Sequence, residues 1–336
     1  MRPAAWLFGF TLLAAAISPA WGQVSSHQLL VGLDLQSARL DVHAPPSVQA
    51  HLLDRLRERA AAARLIFPDP HSPHSGQLPL LTLSVHAQPL GEVCHFKSLI
   101  HLSLDLMETV IPIRTSMPYT NSTWIAESPP TVRDSPSPAS LAEEAAALFD
   151  RFVVAYTRAN GAGSPPHAAP EVPRAGPPAP APPASSVDAT LATLTPDALQ
   201  FDLLTTHHGA PLRHAALTQL AEAGLPLPLQ PPIERPVTLS LELLQHPLAP
   251  DCPGQVLYEA GLFLVEEVVP ARAPTIQLWT DTWACQQVQV VPPRTPEQLD
   301  ADRERLVAAF LRDRHTAIHP ALGRRGTLRE STCPGS

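Results

Sequence analysis

A chain of 336 residues with a net charge of −8 and a single lysine, Lys97, has no clustered cationic surface with which to displace counterions from a polyanion. Nucleic acid is therefore excluded as a partner. The length accommodates two cores of ordinary size, and the 44% hydrophobic content is that of a folded protein. The 41 prolines against 15 glycines are out of proportion, and where they fall decides what they mean.

From the N-terminus, Arg2 precedes an apolar run, Ala4 to Ile17 (AAWLFGFTLLAAAI), that Ser18-Pro19 interrupts. Ala20 and Gly22 then supply small residues ahead of Gln23, the pattern of a signal-peptidase site. The run falls short of the roughly 20 apolar residues that cross a bilayer, so residues 1–22 read as a cleaved signal peptide. The first cysteine is Cys94, far from the cleavage site, which argues against lipid attachment. Arginine outnumbers lysine, and alanine and proline abound, as in proteins of GC-rich bacterial genomes. The expected location is the periplasm or the exterior, with no transmembrane segment after cleavage.

A first strand is expected at Leu29–Leu35 (LLVGLDL), followed by a helix from Ser47 to Leu65 behind Pro45-Pro46, with Ser47 as N-cap. Two β-rich runs follow at Leu80–Val85 and Leu99–Ile113, then a strand carrying Thr123-Trp124 and a closing helix that stops at Asn160-Gly161. From Gly161 to Ser186 the chain reads GAGSPPHAAPEVPRAGPPAPAPPASS, an extended proline/alanine-rich spacer with no apolar period. Beyond it comes a strand at Leu199–Leu204, a helix at Pro211–Ala223 stopped by Gly224, and runs at Val237–Leu244 and Val256–Val269. A Thr282-Trp283 strand and a helix opened by the Thr295-Pro296-Glu297-Gln298 capping sequence complete the series.

The two series match. Met107–Arg114 (METVIPIR) returns as Val265–Arg272 (VEEVVPAR), 158 positions on, with identities at every second residue from Leu104/Leu262 to Arg114/Arg272. The same shift pairs Cys94 with Cys252, and Leu141, Leu148 and Phe152 with Leu299, Leu306 and Phe310, one stripe of a helix. Small insertions set Leu81-Thr82-Leu83-Ser84 against Val237-Thr238-Leu239-Ser240. The expectation is an α+β fold, α/β-sandwich-like: two tandem βαβββα units, each a small antiparallel or mixed sheet with helices on one face. The units span 23–160 and 188–319, joined by the 161–187 linker and followed by a disordered tail at 320–336. The Thr-Trp strand ahead of Phe152, Tyr156 and Asn160, spaced Phe-x-x-x-Tyr-x-x-x-Asn, resembles a group of uncharacterised exported bacterial proteins. That resemblance implies export and no particular activity.

Catalytic signatures are missing: no G-x-S-x-G, H-E-x-x-H, C-x-x-C, phosphate loop or dinucleotide fingerprint occurs. Asp34 with Asp202 and Glu108 with Glu266 are the repeated carboxylates that a two-fold arrangement could bring together as an acid/base dyad. The competing reading is a solvated strand face, or a glutamate paired with Arg114 or Arg272 across a hairpin. The histidines group as His71/His74, His207/His208/His214 and His315/His319; His207, His208 and His214 are the weak metal candidates, but no group shows a third ligand at a diagnostic spacing, so neither a metal nor any cofactor is expected. Cys94, Cys252, Cys285 and Cys333 are disulfide candidates in an exported protein, with Cys252–Cys285 the preferred pair and Cys94–Cys252 the one that would staple the halves. Trp124, Trp283, Phe152 and Phe310 read as core residues of the repeat. The functional expectation is a non-enzymatic binding or envelope-assembly module whose partner is another protein or an envelope component. The alternative is a hydrolase with a carboxylate or metal-assisted site between the halves.

Overall fold

A computed structural model describes residues 28–67, 79–161, 190–206, 209–228, 237–248 and 250–319. The expected signal peptide, most of the proline-rich linker and the C-terminal tail lie outside these residues. The elements run β1 (Arg39–His43), α1 (Pro46–Ala62), β2 (Leu80–Pro89), β3 (Ser98–Pro112), β4 (Tyr119–Arg133) and α2 (Pro138–Asn160). They continue as β5 (Leu199–Thr205), α3 (Gly209–Glu222), β6 (Val237–Pro247), β7 (Val256–Pro270), β8 (Leu278–Val291) and α4 (Pro296–Ile318). The architecture is mixed α+β. All eight strands belong to one sheet of order β1-β2-β3-β7-β6-β5, with β4 on β3 and β8 on β7. Only β1/β2 and β5/β6 are parallel, because an intervening helix returns the chain to the same end of the sheet.

Alternation decides which face each strand buries. Leu102, Leu104 and Leu106 of β3 join Leu81 and Leu83 of β2 under the helices, where Leu52 and Leu56 of α1 and Phe149 and Phe152 of α2 complete a core. Leu239, Leu241, Leu262 and Leu264 do the same with Leu220 of α3 and Phe310 of α4. Each such buried side chain contributes about 1.5–3 kcal/mol. The closing helices begin alike. Ser137 accepts a hydrogen bond from the Ser140 amide, and Thr295 forms the full capping box with Gln298.

Three local expectations need correction. Leu29–Leu35 is not a strand: it folds as two short 3-10 turns, Gln28–Leu30 and Leu35–Ser37. Gly32 turns the backbone at φ 74, and the Asp34 carboxylate caps the second turn through the Gln36 amide. The apolar spacing reflects burial of Leu30, Leu33 and Leu35 in the core. Ser47 is not an N-cap, since α1 starts at Pro46 behind Pro45 with no side-chain cap. The strand registers also remove the insertion proposed in β2. Leu81 lies opposite Leu106, and Leu239 lies opposite Leu264, so Leu81 corresponds to Leu239 and not to Val237.

Candidate functional site

The stretch that occurs twice in the sequence is where the two halves of the sheet join. Val110, Ile111 and Pro112 pair antiparallel with Pro270, Val269 and Val268. Ile111 faces Val269, the residue 158 positions on. Cys94 and Cys252 also meet as counterparts, joined in a disulfide with both residues fully buried. The preferred Cys252–Cys285 pairing is therefore wrong. Cys252 lies in the loop before β7 as Cys94 lies in the loop before β3, and the two meet in one small buried cluster with Leu99, Val132 and Leu257. Cys285 is not free, and Cys333 lies outside the described residues.

Around this junction the halves exchange charges. Arg272 reaches back to Glu108 with Nε 2.6 Å from Oε2 and Nη2 2.9 Å from Oε1, and it donates as well to the carbonyls of Leu29 and Val31. Arg114 reaches forward to Glu266 with Nε 3.2 Å from Oε2, and donates to Thr193 Oγ1 at 2.6 Å and to the Thr190 carbonyl at 3.1 Å. Glu108 is 4% exposed and Glu266 2%. A carboxylate that deep is tolerable only if paired and hydrogen-bonded. Each glutamate thus has its arginine, and the partner sits in the opposite half instead of across its own hairpin. Such groups are committed to holding the junction.

The Thr-Trp strands are explained by β-bulges. Leu106 pairs with Trp124 and Met107 with Ser122, leaving Thr123 as the extra residue. Leu264 and Val265 pair with Trp283 and Asp281, leaving Thr282. Each buried threonine donates to the carbonyl that the bulge exposes, Thr123 to Leu106 at 3.3 Å and Thr282 to Leu264 at 3.2 Å, and Thr123 also donates to Glu108. The following tryptophans sit edge-on to the closing helices, Trp124 at 5.3 Å from Phe152 and Trp283 at 5.4 Å from Phe310. In the first half Tyr156 continues the row, and the Asn160 side chain bridges the Leu30 carbonyl and the Gly32 amide.

The Asp34/Asp202 dyad does not form. Asp34 belongs to the turn before β1 and Asp202 to β5, and these strands are the opposite ends of the strand order. The register makes Asp41 the counterpart of Asp202, and both accept from the amide of the next residue, at 3.0 and 2.9 Å. Of the histidines, His71, His74, His207 and His208 lie outside the described residues, and His214 sits on α3. The His315 and His319 rings are 4.8 Å apart at the end of α4. Among the described residues no group of three metal-ligating side chains converges.

Two groups escaped the sequence reading. On the sheet face away from the helices, Glu242 of β6 has its carboxyl raised by burial and then by the nearby Asp281, Glu259 and Asp202. The Thr282 bulge turns Asp281 of β8 onto that face. Its side chain meets solvent, yet the surrounding protein pushes its carboxyl up to about 6. The first half carries His43, His86 and His101 on its corresponding face, where burial and the two neighbouring histidines lower His86. The second missed group is Asp302, which accepts from the Tyr258 hydroxyl at 2.7 Å inside the second core. Its position between Leu299 and Leu306, on the inward stripe of α4, is the signal that could have found it. Comparison with family models, characterised proteins and solved structures finds no match for this chain.

Proposed function

We propose that the chain is an exported, non-enzymatic protein made of two copies of one βαβββα unit, spanning 23–160 and 188–319, and that it works as a binding or envelope-assembly module. Its partner in this reading is another protein or an envelope component. The observation that carries it is the reciprocal exchange of Glu108–Arg272 and Glu266–Arg114. The residues repeated most faithfully along the chain hold its halves together. Fusion of two units that pair about an axis presents two similar outer surfaces at a set spacing, which favours a repetitive or symmetric partner. The buried Cys94–Cys252 bond supports an oxidising compartment, and no described helix is long and apolar enough to cross a membrane.

The test is capture from an envelope extract by the tagged full chain. A partner retained after a high-salt wash supports the reading. Loss of all partners together with turnover on a hydrolase substrate panel would sink it. The hydrolase alternative draws on a specific pair, Glu242 and Asp281, whose raised carboxyls sit on one open sheet face. It requires that Asp281→Asn abolish that turnover.

A further inference from the structure

The loop before β3 and the loop before β7 share one backbone plan. The Leu90 amide donates to the Lys97 carbonyl as Leu248 does to Gln255, and the Lys97 amide donates to Cys94 as Gln255 does to Cys252. At the position where the second loop has Gly254, with φ 76, the first has Phe96, with φ 60. Left-handed backbone is free for glycine and strained for a side chain with a Cβ. The first loop adds a second such residue, His95 at φ 53, where the other carries Pro253. Strain of this kind is normally offset by packing, yet Phe96 is 71% exposed, and Val93 beside it, where the second loop has Asp251, is 61% exposed. Both stand on a base fixed by the buried disulfide at Cys94. The fold gains nothing from a phenylalanine here that glycine would not provide with less strain, so the choice points outside the chain.

We propose that Val93 and Phe96 form a rigid contact tip that enters an apolar pocket with a basic rim on a protein partner. Aromatic anchors of this kind carry most of the energy of many interfaces. The rim is assigned from charge. Glu92 and His95 are exposed on the same turn, and the Lys97 ammonium is held by Asp251 at 2.9 Å, which leaves the Glu92 carboxylate as the unpaired full charge among the described residues of the tip. That tip repels an anionic bilayer and suits a cationic collar. The inference rests on the binding-module reading and deepens it by naming the contact.

The test places a photo-crosslinking amino acid at position 93 of the full chain and irradiates it in envelope extract, with unlabelled wild-type or Phe96→Gly chain as competitor. The expected result is one saturable adduct that wild-type competes and Phe96→Gly competes at least about tenfold less well, the loss that follows removal of an interface anchor. Independently of any partner, Phe96→Gly is expected to raise Tm by about 2 °C or more, and Gly254→Phe to lower it. A fall in Tm for Phe96→Gly would make Phe96 a structural residue and overturn the proposal. Equal competition by the two chains would also overturn it, while whole-chain capture would still stand. An adduct between two copies of the chain, or Phe96-dependent flotation with phosphatidylethanolamine/phosphatidylglycerol vesicles, would replace the protein pocket with a second copy or a lipid surface. No adduct, combined with failed whole-chain capture, would remove the binding reading itself.

Discussion

Glu108 and Glu266 occupy corresponding places near the ends of β3 and β7, but they are not held equally. Glu108 takes two short bonds from Arg272 and one from Thr123, whereas Arg114 approaches Glu266 at 3.2 and 3.5 Å. Other counterparts differ in the same way. Trp283 donates its indole N–H to Asp313 at 3.1 Å, while Trp124, whose helix has Ala155 in the corresponding place, has no partner for its buried N–H among the described residues. Backbone and core agree more closely between the two halves than polar side chains do. Backbone pairing and close packing allow one solution that both halves must share. A hydrogen bond or surface charge changes stability by only about 1 kcal/mol and is free to diverge.

The largest expected effect breaks the junction. Glu108→Ala leaves Arg272 without its buried counter-charge and should cost about 3–5 kcal/mol in urea unfolding. Glu266→Ala should cost about 2–3 kcal/mol, given its looser bonds. Equal losses would mean that the two ends of the exchange are energetically alike. Next, Gly254→Ala should cost about 1–2 kcal/mol, entirely from its positive φ, since nothing crowds the added Cβ. An unchanged midpoint would remove the strain difference between the two loops.

A finer probe is the tryptophan pair. Trp283→Phe should destabilise by about 1 kcal/mol more than Trp124→Phe, because only the former breaks an indole hydrogen bond. If the order reverses, the indole bond is not what separates them. The smallest effect concerns pH. The carboxyl of Asp281, raised in the fold to about 6, binds its proton more tightly folded than unfolded, so the fold is favoured most below the unfolded value near 4. That contribution fades as pH rises from about 4 through 6. Solvent screening of this exposed group should hold it under about 1 kcal/mol. Unfolding midpoints at pH 4.5 and 7 should converge in Asp281→Asn, and an identical pH slope in both proteins would refute the assignment.

Much was legible from alternation alone. The β3 and β7 runs, the Thr-Trp strands, the closing helices and the core roles of Trp124, Trp283, Phe152 and Phe310 follow from periods of two and 3.6, which reflect local geometry. The N-terminal turns were misread because Leu30, Leu33 and Leu35 are apolar for burial, whereas Gly32 and the Asp34 cap decide the backbone. Asp41 was missed as the counterpart of Asp202, since the surrounding residues are dissimilar and only the strand register relates them.

By itself the sequence determined that METVIPIR and VEEVVPAR are strands of corresponding place, because side-chain alternation is written residue by residue. It also marked Glu108, Glu266, Arg114 and Arg272 as belonging together. Which glutamate meets which arginine, and which cysteine meets Cys252, only the tertiary structure decided. Ion pairs and disulfides depend on distance through space, and here they join residues more than 150 positions apart along the chain. Ile111 and Val269 meet where β3 and β7 pair, and no local pattern records that meeting.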